Sequence, residues 1–234
     1  MRVFVKSALA LAAAALAGSA MAGTLSTFDI QFESVGGQNF NGGDSFKEAG
    51  VKLSAGDPFG NGFVGAGSNS GTCAFNVCPS RSSAFYAVLN DGSLSLESSK
   101  GLNLSLTGFD LGFIAPVFDL SLVGNIGQII VTGHTSAGDK VASFDLPGLS
   151  DTGLSSFNRF NFAQDFASSE FNRITFSACL FDGNGGCTPG ANVNLAQFGL
   201  DSITGSVIPE PSSYALLALA LGAAGFAGRR RRGA

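Results

Sequence analysis

Apolar and polar residues alternate in short runs through the middle of the chain. Four runs keep a strict period of two: Phe28-x-Ile30-x-Phe32, Leu102-x-Leu104-x-Leu106, Phe109-x-Leu111-x-Phe113 and Phe118-x-Leu120-x-Leu122. Successive side chains of a strand point to opposite faces, so each run predicts a strand with one buried and one wet side. Further strands are predicted over residues 128–132, 141–146, 160–162, 173–180 and 197–207. Turn signals separate them: Asn41-Gly42-Gly43, Asp91-Gly92, Ala137-Gly138-Asp139, Pro147-Gly148 and the glycine-rich stretch from Asp182 to Gly186. The stretch after the first strand reads as a glycine-rich loop region. No stretch between 24 and 207 holds a helical period of useful length. The pattern predicts an all-β fold, an antiparallel β-sandwich over residues 23–207.

Two longer apolar runs lie at the ends, and they have a different meaning. Arg2 and Lys6 precede an apolar segment over 8–17, and Ala20-Met21-Ala22 supplies an A-x-A cleavage site. This is the layout of a secretory signal peptide, residues 1–22, with Gly23 as the expected mature start. At the other end, Ile208-Pro209-Glu210-Pro211 leads into an uncharged run over 214–228 that stops at Arg229, Arg230, Arg231 and Arg232. Both prolines keep the chain out of a helix, and Ser212 or Ser213 can cap a helix that starts at the apolar run. The apolar run is roughly 22 Å long as a helix, shorter than the ~30 Å hydrocarbon core. Snorkelling of Arg229 and local thinning close that gap, and the arginine block stays cytoplasmic. The rival reading is a C-terminal core helix, but the run is not amphipathic.

The order Pro-Glu-Pro, apolar span, basic cluster resembles the PEP-CTERM tail of Gram-negative bacteria, with Ile208 in place of the usual Val. The resemblance covers residues 208–232 and implies an address: export, transient anchoring in the inner membrane by a C-terminal transmembrane helix, and processing by an exosortase-like enzyme near Pro209–Pro211. Cell surface or extracellular space is then the destination. The expected domains are 1–22, 23–207 and 208–234. The middle segment, which closes with Ala196-Gln197-Phe198-Gly199-Leu200-Asp201-Ser202-Ile203, is similar to the galactose-binding-like jelly roll of some PEP-CTERM ectodomains. Gly199 and Ser202 depart from that family's closing strand.

Composition changes the picture in three places. Of 13 basic and 17 acidic residues, six basic and one acidic lie in the terminal segments, so residues 23–207 hold 7 against 16, a net charge of −9. Such a domain does not attract nucleic acid or anionic lipid by counterion release. Phenylalanine supplies the core material, with 22 Phe, two Tyr and no Trp. The four cysteines fall into close pairs, and export permits disulfides. Of the three pairings, local bridges Cys73–Cys78 and Cys179–Cys187 are expected, with four-cysteine zinc the rival.

Candidate chemistry is sparse. His134 is the lone histidine, so a hydroxyl–histidine–carboxylate triad has to use it, and Ser136 and Asp139 are near in sequence. The segment 133–139 reads more simply as a hairpin turn. No nucleophile elbow, zinc-protease helix or P-loop is present, and no catalytic residue is assigned. Jelly rolls of the resembled type often carry a structural calcium between first and last strands, which makes Asp29, Glu33 and Asp201 candidate ligands or else plain edge acids. A sugar site needs an exposed aromatic, and Tyr86 is the only tyrosine in the middle segment. The first functional expectation is a non-enzymatic structural or adhesive protein of the cell surface or matrix. The second is a lectin-like module for exopolysaccharide, and the third a secreted hydrolase.

Overall fold

The computed structural model describes residues 25–56, 61–66, 73, 76–184, 186–187 and 195–209. The expected signal peptide and the tail beyond Pro209, with Glu210, Pro211 and the four terminal arginines, lie outside the described residues. Residues Ser26–Ile208 make one compact unit.

Two antiparallel sheets face each other across a phenylalanine-rich core. The first sheet holds β1 (Ser26–Ile30), β2 (Asn39–Asn41), β5 (Asn61–Ala66), β7 (Ala84–Leu89), β9 (Asn103–Phe113), β13 (Asn158–Asn161) and β15 (Phe198–Ile208). Their order is β13-β9-β15-β7-β5-β2, with β1 beside the second half of β15. The second sheet holds β3 (Ser45–Glu48), β4 (Val51–Gly56), β8 (Ser93–Ser98), β11 (Asn125–Thr135), β12 (Gly138–Pro147) and β14 (Arg173–Leu180), in the order β12-β11-β14-β8-β4-β3. A small pair, β6 (Asn76–Val77) with β10 (Ala115–Pro116), stands apart. From β8 onward the chain crosses repeatedly between the sheets, interrupted by the β11–β12 hairpin within the second, a jelly-roll-like connectivity. One four-residue helix, α1 (Gln164–Ala167), follows β13.

The inward faces carry the alternating residues read from the sequence. Leu94, Leu96, Ile129, Val131, Ile174 and Phe176 of the second sheet meet Ile30, Leu104, Leu106, Phe109, Phe198 and Leu200 of the first, all fully buried. Phe109 bridges the layers, with its ring 5.2 Å from both Phe144 and Phe176 in edge-to-face contact. Burying each such side chain contributes roughly 1.5–3 kcal/mol.

The two runs 102–106 and 109–113 are halves of one strand, β9. Its inward residues shift phase, from Leu104 and Leu106 to Phe109, Leu111 and Phe113. The partner β15 shifts too, from Phe198 and Leu200 to Ile203 and Gly205. The register shows why: it slips between Asp201 and Thr204 on β15, and slips back between Gly108 and Leu106 on β9. Each strand holds one extra residue, and Ser202 takes a left-handed φ of 45° to accommodate it. The opposed bulges turn both strands over without losing their pairing.

The run Phe118–Leu122 is a correction. It forms a loop, not a strand, and Phe118 is 81% exposed. Asp119 N–H bonds to Pro116 O at 3.1 Å, and the Asp119 carboxylate accepts from the Ser121 amide at 3.1 Å and hydroxyl at 2.6 Å. Those local bonds satisfy the backbone in a turn and displace the ladder. In the opposite direction, the supposed loop region after β1 contains β2, β3, β4 and β5.

Candidate functional site

The open flank of the sandwich lies between β12 and β13, the terminal strands of the two sheets. A cleft of about 550 Å³ lies at this flank, lined from Lys140 to Phe144 on one side and by Asn161, Ala163, Asp165 and Phe166 on the other. Its volume falls in the ordinary range of small-molecule sites. The floor is apolar and stiff. Phe144 packs edge-on to Phe162 at 5.2 Å, and Phe162 stacks on Phe166 at 4.6 Å. The rim is polar. Lys140 Nζ donates to Ser169 Oγ at 2.8 Å, and that hydroxyl donates to Asp165 O at 2.7 Å, so a strap joins β12 to the α1 segment across the upper end. The Ser143, Asn161 and Asp165 side chains are exposed at this rim.

A second polar cluster sits on the outer face of the first sheet, at the paired bulges. Asp201 and Asp110 are directly opposed across β15 and β9. Like charges so placed destabilise a sheet, and two arginines answer them. Arg81 reaches Asp110 Oδ2 at 2.5 Å and Asp201 Oδ2 at 2.8 Å, and Arg159 reaches Asp110 Oδ1 at 3.3 Å. Ser83 Oγ donates to Asp201 Oδ2 at 2.9 Å and the Ser202 amide donates to Oδ1 at 2.6 Å. Arg159 also donates to Ser202 O at 2.7 Å and to Thr204 Oγ1 at 2.7 Å, which ties the bulge down. Asp201 is 1% exposed. Burial pushes its carboxyl up to about 6, against the pull of the Ser202 amide, Ser83 and Arg81, with Asp110 adding to the rise. The covering segment needs Gly112, where a Cβ would lie 2.5 Å from Pro79.

The structure separates the residues expected to hold calcium. Asp29 accepts from Gln31 Nε2 at 2.9 Å, Glu33 accepts from the Ala84 amide at 3.1 Å, and Asp201 belongs to the arginine cluster. Among the described residues, no group of three or more His, Cys, Asp or Glu is placed to hold a metal ion. Tyr86 is withdrawn from the surface: it is 1% exposed and lies among Phe32, Phe40 and Phe46. Burial, with the Asp44 carboxylate adding, holds its phenol well above the usual range, and among the described residues its hydroxyl has no partner.

His134 lies within β11, two residues before the hairpin turn rather than in it. Its Nδ1 is 2.9 Å from Asp139 Oδ1 and its Nε2 is 3.3 Å from Thr175 Oγ1, which in turn is 3.1 Å from Ser95 Oγ. Ser136 takes no part in this row. The row crosses the flat outer face of the second sheet, where backbone amides are committed to the ladder. Both disulfides, Cys73–Cys78 and Cys179–Cys187, are formed as the spacing suggested.

Pro209 comes directly after β15, and the segment beyond it is legible in sequence. Residues 207–232 match the PEP-CTERM protein-sorting motif. The chain carries a PEP-CTERM tail. The motif implies export, processing by an exosortase and sorting to the cell surface. Among the described residues no helix is long and apolar enough to cross a membrane, and the tail's apolar run lies outside them.

No curated protein matches this PEP-CTERM chain. Three solved structures are similar to the ectodomain at low level. An arabinose-bound α-L-arabinofuranosidase is 10% identical with a TM-score of 0.36, over 77% of this chain and 26% of that one. A DUF4465 family protein from Bacteroides ovatus is 8% identical with a TM-score of 0.38, over 79% of this chain and 100% of that one. Carbohydrate-binding modules of the β-sandwich superfamily are 12% identical with a TM-score of 0.32, over 70% of this chain and 62% of theirs.

Proposed function

We propose that this is an exosortase-sorted structural or adhesive protein of the cell surface or extracellular polymer matrix, acting without catalysis. The observation that carries the reading is the sorting motif joined directly to the last strand of a rigid sandwich. Ser26 and Val207 are register partners, so both ends of the sandwich leave from one pole. The loops at the far ends of β9 and β12 point the other way, a suitable arrangement for display. The His134 row fits a structural role, since β11 is paired along its length with β12 and β14 and the row ties these strands together.

The test is expression in a host with and without its exosortase, combined with fractionation and intact mass. The expected product with the enzyme is a surface or medium form that starts at Gly23 and ends near Pro209. Full-length protein in the medium, or identical processing without exosortase, overturns the sorting part. Beads coated with the ectodomain and mixed with exopolysaccharide-bearing cells test the adhesive part, and beads that stay dispersed overturn it.

A further inference from the structure

We propose that the pole opposite the tail is a docking surface for a basic, apolar-bearing segment of another protein; this binding does not depend on the adhesive role. Ile208 pairs with Asn103 and Phe198 with Phe113, so the start of the tail and this pole lie at opposite ends of β15. Residues 114–126, 145–157 and 180–184 build the pole, and backbone bonds stitch them together. Leu149 N–H donates to Leu122 O at 2.7 Å, Gly148 N–H to Gly124 O at 2.6 Å, and Phe181 N–H to Ile126 O at 2.9 Å. The surface is therefore preformed, and a partner loses little freedom in ordering it.

Apolar exposure is concentrated here. Val117, Phe118, Leu120, Val123, Leu154 and Phe181 are between 36% and 81% exposed, and among the described residues only Leu25 and Val141 are large apolar side chains as open elsewhere. Soluble domains seldom leave so many together unless something covers them. The same three segments carry Asp119, Asp145, Asp151 and Asp182, and no Lys, Arg or His. Asp119 accepts from Ser121, and Asp182 from the Asn184 and Gly186 amides, bonds that leave both charges in place. The bases of the ectodomain are held away. Arg81 and Arg159 belong to the bulge cluster, and the other five, from Lys47 to Arg173, lie toward the tail end.

Acid without base around an apolar centre fixes the chemistry of the occupant. Its apolar side chains cover Phe118 and Leu120, and its Lys or Arg groups meet the carboxylates. The same carboxylates repel an anionic membrane surface. A second copy docking by this pole would set carboxylate against carboxylate.

The test is fluorescence anisotropy of the secreted protein with a labelled peptide of alternating leucine and lysine. Comparison peptides carry glutamate for lysine or serine for leucine. The leucine–lysine peptide is expected to bind tightest, and less tightly as salt is added. F118S and the pair D145N/D151N alter exposed side chains, and unchanged thermal unfolding checks the fold. Each is expected to weaken binding at least about tenfold, while E97Q at the tail end binds as wild type. Because the Asn pair keeps the apolar surface, it tests the site even if F118S fails to fold. No binding of the leucine–lysine peptide, equal binding of either comparison peptide, or unchanged binding by D145N/D151N overturns the proposal. So does tighter binding to phosphatidylglycerol vesicles than to the peptide, or self-association in sedimentation that F118S abolishes, which would give the surface to a membrane or to a second copy.

Discussion

Asp201→Asn isolates the energetics of the paired bulges. The Asp201 carboxyl is raised from 3.8 to about 6, with burial the largest cause. A raised acid binds its proton more tightly in the folded state. Its stabilising share is therefore complete below the unfolded value and is lost as pH rises through the folded one. Two units correspond to about 3 kcal/mol. Asparagine has the shape of the protonated acid and no titration. The absolute effect of the change includes broken bonds to Arg81 and Ser83, so the informative quantity is its pH dependence. The stability of the Asn variant minus that of wild type is expected to grow by about 3 kcal/mol between about pH 3.5 and pH 7. Urea unfolding monitored by far-ultraviolet circular dichroism measures this, since the chain has no tryptophan. A difference that is flat with pH would refute the reasoning. A difference that falls with pH would mean that the Arg81 ion pair outweighs burial and holds the carboxyl low.

Other perturbations probe other links. Gly205→Ala drives a Cβ into the Ser105 carbonyl oxygen and to 2.6 Å from the Phe28 ring, a rigid contact, so a loss of about 1–3 kcal/mol is expected in urea unfolding. Phe176→Ala empties the centre of the core, where the residue is fully buried, and is expected to cost about 3–5 kcal/mol by the same measurement. Replacing Cys73 and Cys78 together by Ala opens a bridge of sequence separation 5 and is expected to cost about 2 kcal/mol, read as a lower melting temperature. Replacing Arg229, Arg230, Arg231 and Arg232 by Ser leaves the sandwich untouched but removes the charge that holds a short span in place. Uncut precursor is expected to accumulate on blots of membrane fractions, and normal processing would show that the arginines are not part of the signal.

The legible parts of the fold were those where one periodicity governs one element. β14 matches its predicted bounds because Ile174, Phe176 and Ala178 alternate without interruption and pair on both sides. β9 was legible only as two pieces, because a bulge at its middle breaks the period that the eye tracks. Phe118-x-Leu120-x-Leu122 has an equally good period and forms no strand, since Asp119 can bond to Ser121 at once while a ladder partner is far along the chain. Conversely, Leu94-x-Leu96 and Val51-x-Leu53-x-Ala55 did carry a visible signal for β8 and β4. Their serine and glycine surroundings hid it. Disulfides could be read from spacing alone, because a bridge between near neighbours needs no knowledge of the fold. The cleft left no trace in sequence, for its lining comes from the edges of two different sheets.

Which polar cluster is a site and which is scaffold turns on satisfaction, not on how unusual a group is. Asp201 has the displaced pKa, the deepest burial among the acids and two arginine neighbours within the same cluster, the marks by which functional carboxylates are often sought. Yet each of its oxygens already accepts a bond, Arg81 and Arg159 bond to carboxylates, hydroxyls and a backbone carbonyl, and the charges sum to zero. A ligand would have to break bonds that hold two bulges in register. Asp165 and Asn161 are the reverse case. Their side chains lie exposed at the rim of the hollow beside β12, where solvent supplies their hydrogen bonds. Change at that rim dismantles no bonded network, whereas change at the bulges breaks one, so the Asp201 cluster is scaffold that holds the sheet.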